Sequence, residues 1–95
     1  MSKHTPGPWY RDGTTVYALN PHNFNRFSAQ IHGAHTPKSE LEAVAQLMQA
    51  APELLEALEY AVNIQISSLI LLKCDDDFIA KETAQARAAI AKATA

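Results

Sequence analysis

Residues 51–72 read Ala-Pro-Glu-Leu-Leu-Glu-Ala-Leu-Glu-Tyr-Ala-Val-Asn-Ile-Gln-Ile-Ser-Ser-Leu-Ile-Leu-Leu, the most apolar stretch of a 95-residue chain. The start is marked as a helix start. Pro52 suits the first helical position, where a missing N–H costs nothing and φ is already helical. Glu53 and Glu56 lie in or near the first turn, where the helix dipole favours negative charge. Leu54, Leu58, Ala61, Gln65, Ser68 and Leu72 recur at 4-3-4-3-4 spacing, one stripe of a helix. Leu55, Val62, Ile66 and Leu69 widen that stripe. From 64 to 72 the helix is apolar nearly all round, the pattern of a helix buried on more than one side. So short a chain can hardly cover it alone. A homo-oligomer, a dimer or higher, is expected, with Leu58, Val62, Ile66, Leu69 and Ile70 at its interface.

The length implies one domain, 1–95, with a tail and β-meander over 1–36 and a helical part over 37–95. The single Cys74 excludes an intramolecular disulfide and reads as an inert buried thiol in a reducing compartment. The N-terminus shows no apolar signal segment. Residues 64–72 fall far short of the roughly 20 needed to cross a bilayer. A soluble protein with no membrane partner is expected.

Residues 1–8 end in His-Thr-Pro-Gly-Pro, an extended lead-in, because two prolines flanking a glycine fit neither a helix nor a central strand. Residues 9–19 read as a β-hairpin about a two-residue Asp12-Gly13 turn. Asn20, Pro21, His22 and Asn23 carry turn chemistry. Residues 25–32 then alternate: Phe27, Ala29 and Ile31 face one way, and Arg26, Ser28, Gln30 and His32 the other. The result is a three-stranded antiparallel meander with one face to be covered.

Thr36 and Pro37 open a helix as N-cap and first position, with Leu41, Val44, Leu47 and Met48 as its apolar stripe. Pro52 breaks or kinks it, so residues 38–72 are two helices or one kinked helix, a tight break at Ala50-Ala51 being favoured. Asp75, Asp76 and Asp77 offer N-caps for a last helix from about 78 to 93, packing through Phe78, Ile79, Ala86 and Ile90. The fold class is α+β: a three-stranded antiparallel meander followed by two or three helices, which form the assembly interface.

Three segments carry a resemblance. His4-Thr5-Pro6-Gly7-Pro8-Trp9, Ala51-Pro52-Glu53-Leu54-Leu55-Glu56-Ala57-Leu58 and Ala86-Arg87-Ala88-Ala89-Ile90-Ala91-Lys92-Ala93 occur in that order along nearly the whole chain. The chain resembles a family of small phage and prophage proteins of unknown function that begin HTPGPW. The resemblance implies a phage accessory gene product in the host cytoplasm and no named active site. One departure lies at Gln46, where the family usually has Arg, which removes one candidate anion contact.

Catalytic, metal and cofactor chemistry find little to stand on. His32 and His35 are separated by two residues, but no Cys or carboxylate joins them at metal-ligand spacing. The three aspartates lack the spaced oxygens and glycine of a calcium loop. No serine stands in a nucleophile motif, and three glycines make no phosphate loop. No enzyme, metal or cofactor is expected. Charge is uneven: residues 1–38 hold Lys3, Arg11, Arg26 and Lys38 against Asp12, net +3, and residues 39–95 hold four basic and nine acidic residues, net −5. The basic charge is too sparse for duplex nucleic acid. Arg11, Tyr17, Arg26, Gln30 and His32 form the candidate ligand set, guanidinium for phosphate and an aromatic ring for a base. Three roles follow: binding a host protein through the acidic helical half, sequestering a small anionic nucleotide-type ligand in the basic half, or a purely structural oligomer.

Overall fold

The alternation of β-branched, aromatic and small residues sets the first half into strands. In the computed structural model, which describes residues 4–95, β1 (Tyr10–Asp12), β2 (Thr15–Leu19) and β3 (Asn25–Gln30) form one antiparallel sheet in the order β1-β2-β3. Lys3, counted above in the basic half, lies outside the described residues. Arg11 pairs with Val16, Val16 with Ala29, and Ala18 with Phe27, which places these five on one face. Val16 and Ala18 are buried, so this is the core face. Tyr10, Tyr17 and Ser28 share the other, open face.

The first hairpin turns one residue later than expected. Asp12 pairs with Thr15, so the loop is Gly13-Thr14. Positive φ falls on Gly13 alone, at +61°, a left-handed conformation that glycine adopts without steric cost. The shift moves each cross-strand partner by two positions, so Tyr10 meets Tyr17, while every residue keeps its face. In the second connection the Asn20 side chain accepts from the His22 and Phe24 N–H groups at 2.9 and 3.0 Å. Asn23 takes φ +65°, which asparagine tolerates. Ala18 pairs with Phe27 but Leu19 with Asn25, so Arg26 is the extra residue of a β-bulge.

Helix α1 (Lys38–Gln49) packs on β1 and β2. Its N-cap is Pro37 rather than Thr36, because ψ of 144° keeps Pro37 extended and delays the helix by one residue. The buried stripe differs from the expected one. Ala45 and Pro52 are buried with Leu41 and Met48 half-buried, at 4-3-4 spacing, while Val44 and Leu47 are exposed. The small Ala45 side chain lets the helix backbone come close to the sheet. Ala50 alone separates α1 from α2 (Ala51–Leu71), so the segment is two helices. Ala50 still donates to the Gln46 carbonyl, but Pro52 has no N–H for the next bond.

The lead-in closes over this junction. A Cβ on Gly7 would stand 2.9 Å from Pro52 Cβ, so glycine permits the approach. Trp9 meets the Phe27 ring edge-on at 5.1 Å and donates from Nε1 to the Thr5 carbonyl at 3.1 Å. Among the described residues the chain divides into two compact units, Thr5–Glu53 and Leu54–Ala95 together with His4. The division falls after Glu53, so α1 belongs with the sheet it covers.

In the second unit α2 turns through residues 72–75 into α3 (Asp76–Ala93). Val62 and Ile66 border the same groove as Arg87 and Ile90, which makes the pair an antiparallel helical hairpin. The buried side of α2 is the stripe of Leu55, Leu58, Val62, Ile66 and Leu69, with Val62 deepest, whereas Leu54 and Leu72 of the other expected stripe are exposed. On α3 the inward residues are Ile79, Thr83, Ala86 and Ile90. Thr83 replaces the expected Phe78 because its hydroxyl is satisfied within the helix, donating to the Ile79 carbonyl and accepting from Arg87 Nε. Asp75, not Asp76 or Asp77, is the N-cap, accepting from the Phe78 N–H at 2.7 Å. Cys74 is half-buried. Taken whole, α2 is long and apolar enough to cross a membrane, at 21 residues and mean hydropathy 1.3, because its apolar character extends well beyond 64–72.

Helix α2 ends in a Schellman motif: the Cys74 N–H reaches the Leu69 carbonyl and the Lys73 N–H that of Ile70, with Lys73 at φ +61°. Lys73→Gly relieves the left-handed strain and is expected to stabilise the hairpin by about 1 kcal/mol in urea denaturation. Gly7→Ala meets Pro52 and is expected to destabilise the sheet unit by about 1–3 kcal/mol in the same measurement.

Candidate functional site

The five residues of the candidate ligand set come from the sheet and the segment after it, and the fold does not gather them all. Arg11 lies on the core face, because its strand position pairs it with Val16. Its Nε donates to Gln46 Oε1 of α1 at 2.8 Å, and a terminal guanidinium nitrogen donates to the Gly13 carbonyl at 2.8 Å. The guanidinium therefore ties the sheet to its covering helix and to the hairpin turn. Gln46, which stands where the resembling family usually has Arg, is its acceptor and so has a structural part.

Tyr17 is on the open face, stacked on Tyr10 with ring centroids 5.5 Å apart and planes at 30°. Tyr10 was not in the expected set. Its pairing with Tyr17 follows from the turn at Gly13-Thr14 and becomes visible only when that register is known. Arg26 sits at the bulge, exposed, where strict alternation no longer fixes its direction. His32 lies beyond the end of β3, since Ile31 makes the last link to the sheet, its N–H donating to the Thr14 carbonyl.

Gln30 and His32 are brought together. They border an open cleft of about 450 Å3 with Thr14, Ala34, Lys38 and Leu41. Lys38 stands at the start of α1 and approaches Glu42 one turn on, at 3.9 Å. The strand end supplies an amide and an imidazole, and the helix start supplies an ammonium group. This cleft could hold a small polar or anionic group by hydrogen bonds and one charge. Among the described residues no group of three His, Cys, Asp or Glu side chains is placed to hold a metal ion.

The second set of expected residues divides differently. Leu58, Val62, Ile66 and Leu69 lie on the buried side of α2, and the hairpin itself uses them. Ile70 is exposed. Besides Ile70, the uncovered large apolar residues in this stretch are Leu54 near the start of α2, Tyr60, Ile64 and Leu71 along its outer side, and Leu72 just after its end. Sequence periodicity alone did not separate the two sides, because α2 is apolar on both.

If Arg11 is structural, its pair with Gln46 is measurable. A double-mutant cycle of Arg11→Ala and Gln46→Ala is expected to give a coupling of about 0.5–1 kcal/mol in urea denaturation of the full chain.

Residues 1–95 match the family model of Salmonella phage P22 protein Y8K6. No curated protein and no solved structure matches the chain. The α+β chain of a small antiparallel sheet and three helices belongs to the family of Salmonella phage P22 protein Y8K6, small phage proteins of unknown function.

Proposed function

We propose that the chain is a non-enzymatic phage accessory protein that acts in the host cytoplasm by binding a host protein, and that the turn end of the helical hairpin is the binding surface. One observation carries this reading. Ile70, Leu72 and Phe78 are 59%, 74% and 45% exposed around a connection of four residues. Large apolar side chains concentrated at one end of a hairpin gain by being covered, each by about 1.5–3 kcal/mol when fully buried. Asp75, Asp76 and Asp77 stand beside them, exposed. The matching partner has an apolar pocket rimmed by Lys or Arg, since charge complementarity at the rim selects the partner and speeds encounter.

A second reading rests on the cleft that joins Gln30 and His32 to Lys38: a sink for a small anionic, nucleotide-type ligand. The two readings involve different units of the chain and separate cleanly.

The test is affinity purification of the tagged chain from infected cells, beside the double variant Leu72→Asp, Phe78→Ser. The expected result is one host protein retained by the native chain and lost by the variant. Retention by both chains overturns the assignment of the turn end. A thermal-shift screen against cyclic and linear nucleotides tests the second reading, because ligand at 100 times Kd adds about 2.7 kcal/mol of stability. A shift that His32→Ala and Lys38→Ala remove, with no host protein retained, replaces the first reading by the second.

A further inference from the structure

The outer side of α2 carries a pattern of its own. With 3.6 residues per turn, Ala57, Tyr60, Ile64, Ser67, Ser68 and Leu71 fall on the face opposite Val62. All six are exposed, Tyr60 at 70%, Ile64 at 50% and Leu71 at 82%. Tyr60, Ile64, Ser67 and Leu71 are spaced 4-3-4, the recurrence of a coiled-coil seam. The helix is thus apolar on two opposite sides, and the hairpin covers one of them.

We infer that this outer seam pairs with the same seam of a second copy, antiparallel, about a two-fold axis at Ile64. The pattern is self-complementary about that residue. Ile64 meets Ile64 of the second copy, Tyr60 meets the small Ser67 and Ser68, and Leu71 meets the small Ala57. Large residues stand over small ones on both sides of the axis, and a two-fold interface repeats each contact twice. A parallel pairing sets Tyr60 on Tyr60, Leu71 on Leu71 and Ala57 on Ala57, which alternates crowding with gaps.

The helix dipoles favour the same orientation. Helix α2 has no Lys or Arg; its charges are Glu53, Glu56 and Glu59 near the start, and Lys73 and then Asp75, Asp76 and Asp77 follow its end. Antiparallel pairing sets the positive dipole end of one helix beside the negative dipole end of the other, and brings the glutamate end towards Lys73 as well as towards Asp75, Asp76 and Asp77. Parallel pairing sets glutamate beside glutamate. The same charges disfavour a lipid surface as the occupant, because helices that lie on membranes carry Lys and Arg on their polar flanks. The pairing rests on reading the hairpin as an interaction module, but it uses a different face from the turn end.

The experiment is analytical ultracentrifugation of the full chain with site-directed crosslinking. The native chain is expected to sediment as a dimer, and Ile64→Glu as a monomer with unchanged helical circular dichroism. For orientation, Ala57→Cys and Leu71→Cys chains are made in a Cys74→Ser background and mixed under oxidation. Antiparallel pairing yields disulfides between unlike chains. Disulfides only between like chains overturn it in favour of a parallel pair. A native chain that stays monomeric at high concentration overturns the interface outright, as does a dimer that persists in Ile64→Glu. Flotation of the native chain with anionic lipid vesicles, absent in Ile64→Glu, overturns it in favour of a membrane. If Ile64→Glu loses its helix content, the cysteine pair still decides the question. Loss of the dimer with host-protein capture intact separates this inference from the turn-end reading.

Discussion

The cover that α1 provides for the core face of the sheet is the constraint on which the N-terminal unit depends. Three short strands are marginal in water unless a face is packed. Val16 stands at the centre, fully buried, paired with Arg11 on one side and Ala29 on the other. Ala45, also fully buried, is the point at which α1 comes closest in kind to a flat surface, since it presents only a methyl group. Around this centre the remaining contacts act as closures. Arg11 reaches from β1 to Gln46, Trp9 lies edge-on to Phe27, and Gly7 admits Pro52. Two segments far apart in the chain, the proline-glycine lead-in and the start of α2, are therefore halves of one contact.

The C-terminal unit is built on a different balance. Its interior is a single seam between α2 and α3, narrow enough that Val62, Ile79 and Thr83 are its only buried residues among those described. A threonine in such a seam is tolerable because its hydroxyl has both a donor and an acceptor partner inside α3. The consequence of a narrow seam is the apolar surface left outside it. Sharp ends mark the hairpin all the same: a Schellman motif closes α2, and the Asp75 side chain caps α3. The turn between them is thereby held, and the apolar residues on either side of it are presented in a fixed arrangement.

Much of the fold was legible beforehand because short-range chemistry decides it. Period-two alternation over 27–30, the proline break after Ala50 and the aspartate cap at 75 each act over a few residues, and each appears where its residues stand. Side and partner were less legible. The hairpin turn moved by one residue, which changed the partner of Tyr10 from Thr15 to Tyr17. Arg26 fell on a bulge, where alternation fails. Arg11 was grouped with Tyr17 although the parity of β1 and β2 sets them on opposite faces. On the helices, the stripe that buries was not the one with the most regular spacing: Ala45 displaced Val44 and Leu47, and Thr83 displaced Phe78.

The sequence by itself determined the element types and their order, because caps, turns and breaks are local. It also determined that α2 carries more apolar surface than an ordinary amphipathic helix. Only the tertiary structure decided which side of α2 the hairpin uses, which strand residues face α1, and that Gln30 and His32 meet Lys38. Those outcomes depend on how closely two backbones approach, and a small side chain such as Ala45 or Gly7 can govern that distance more than a large one.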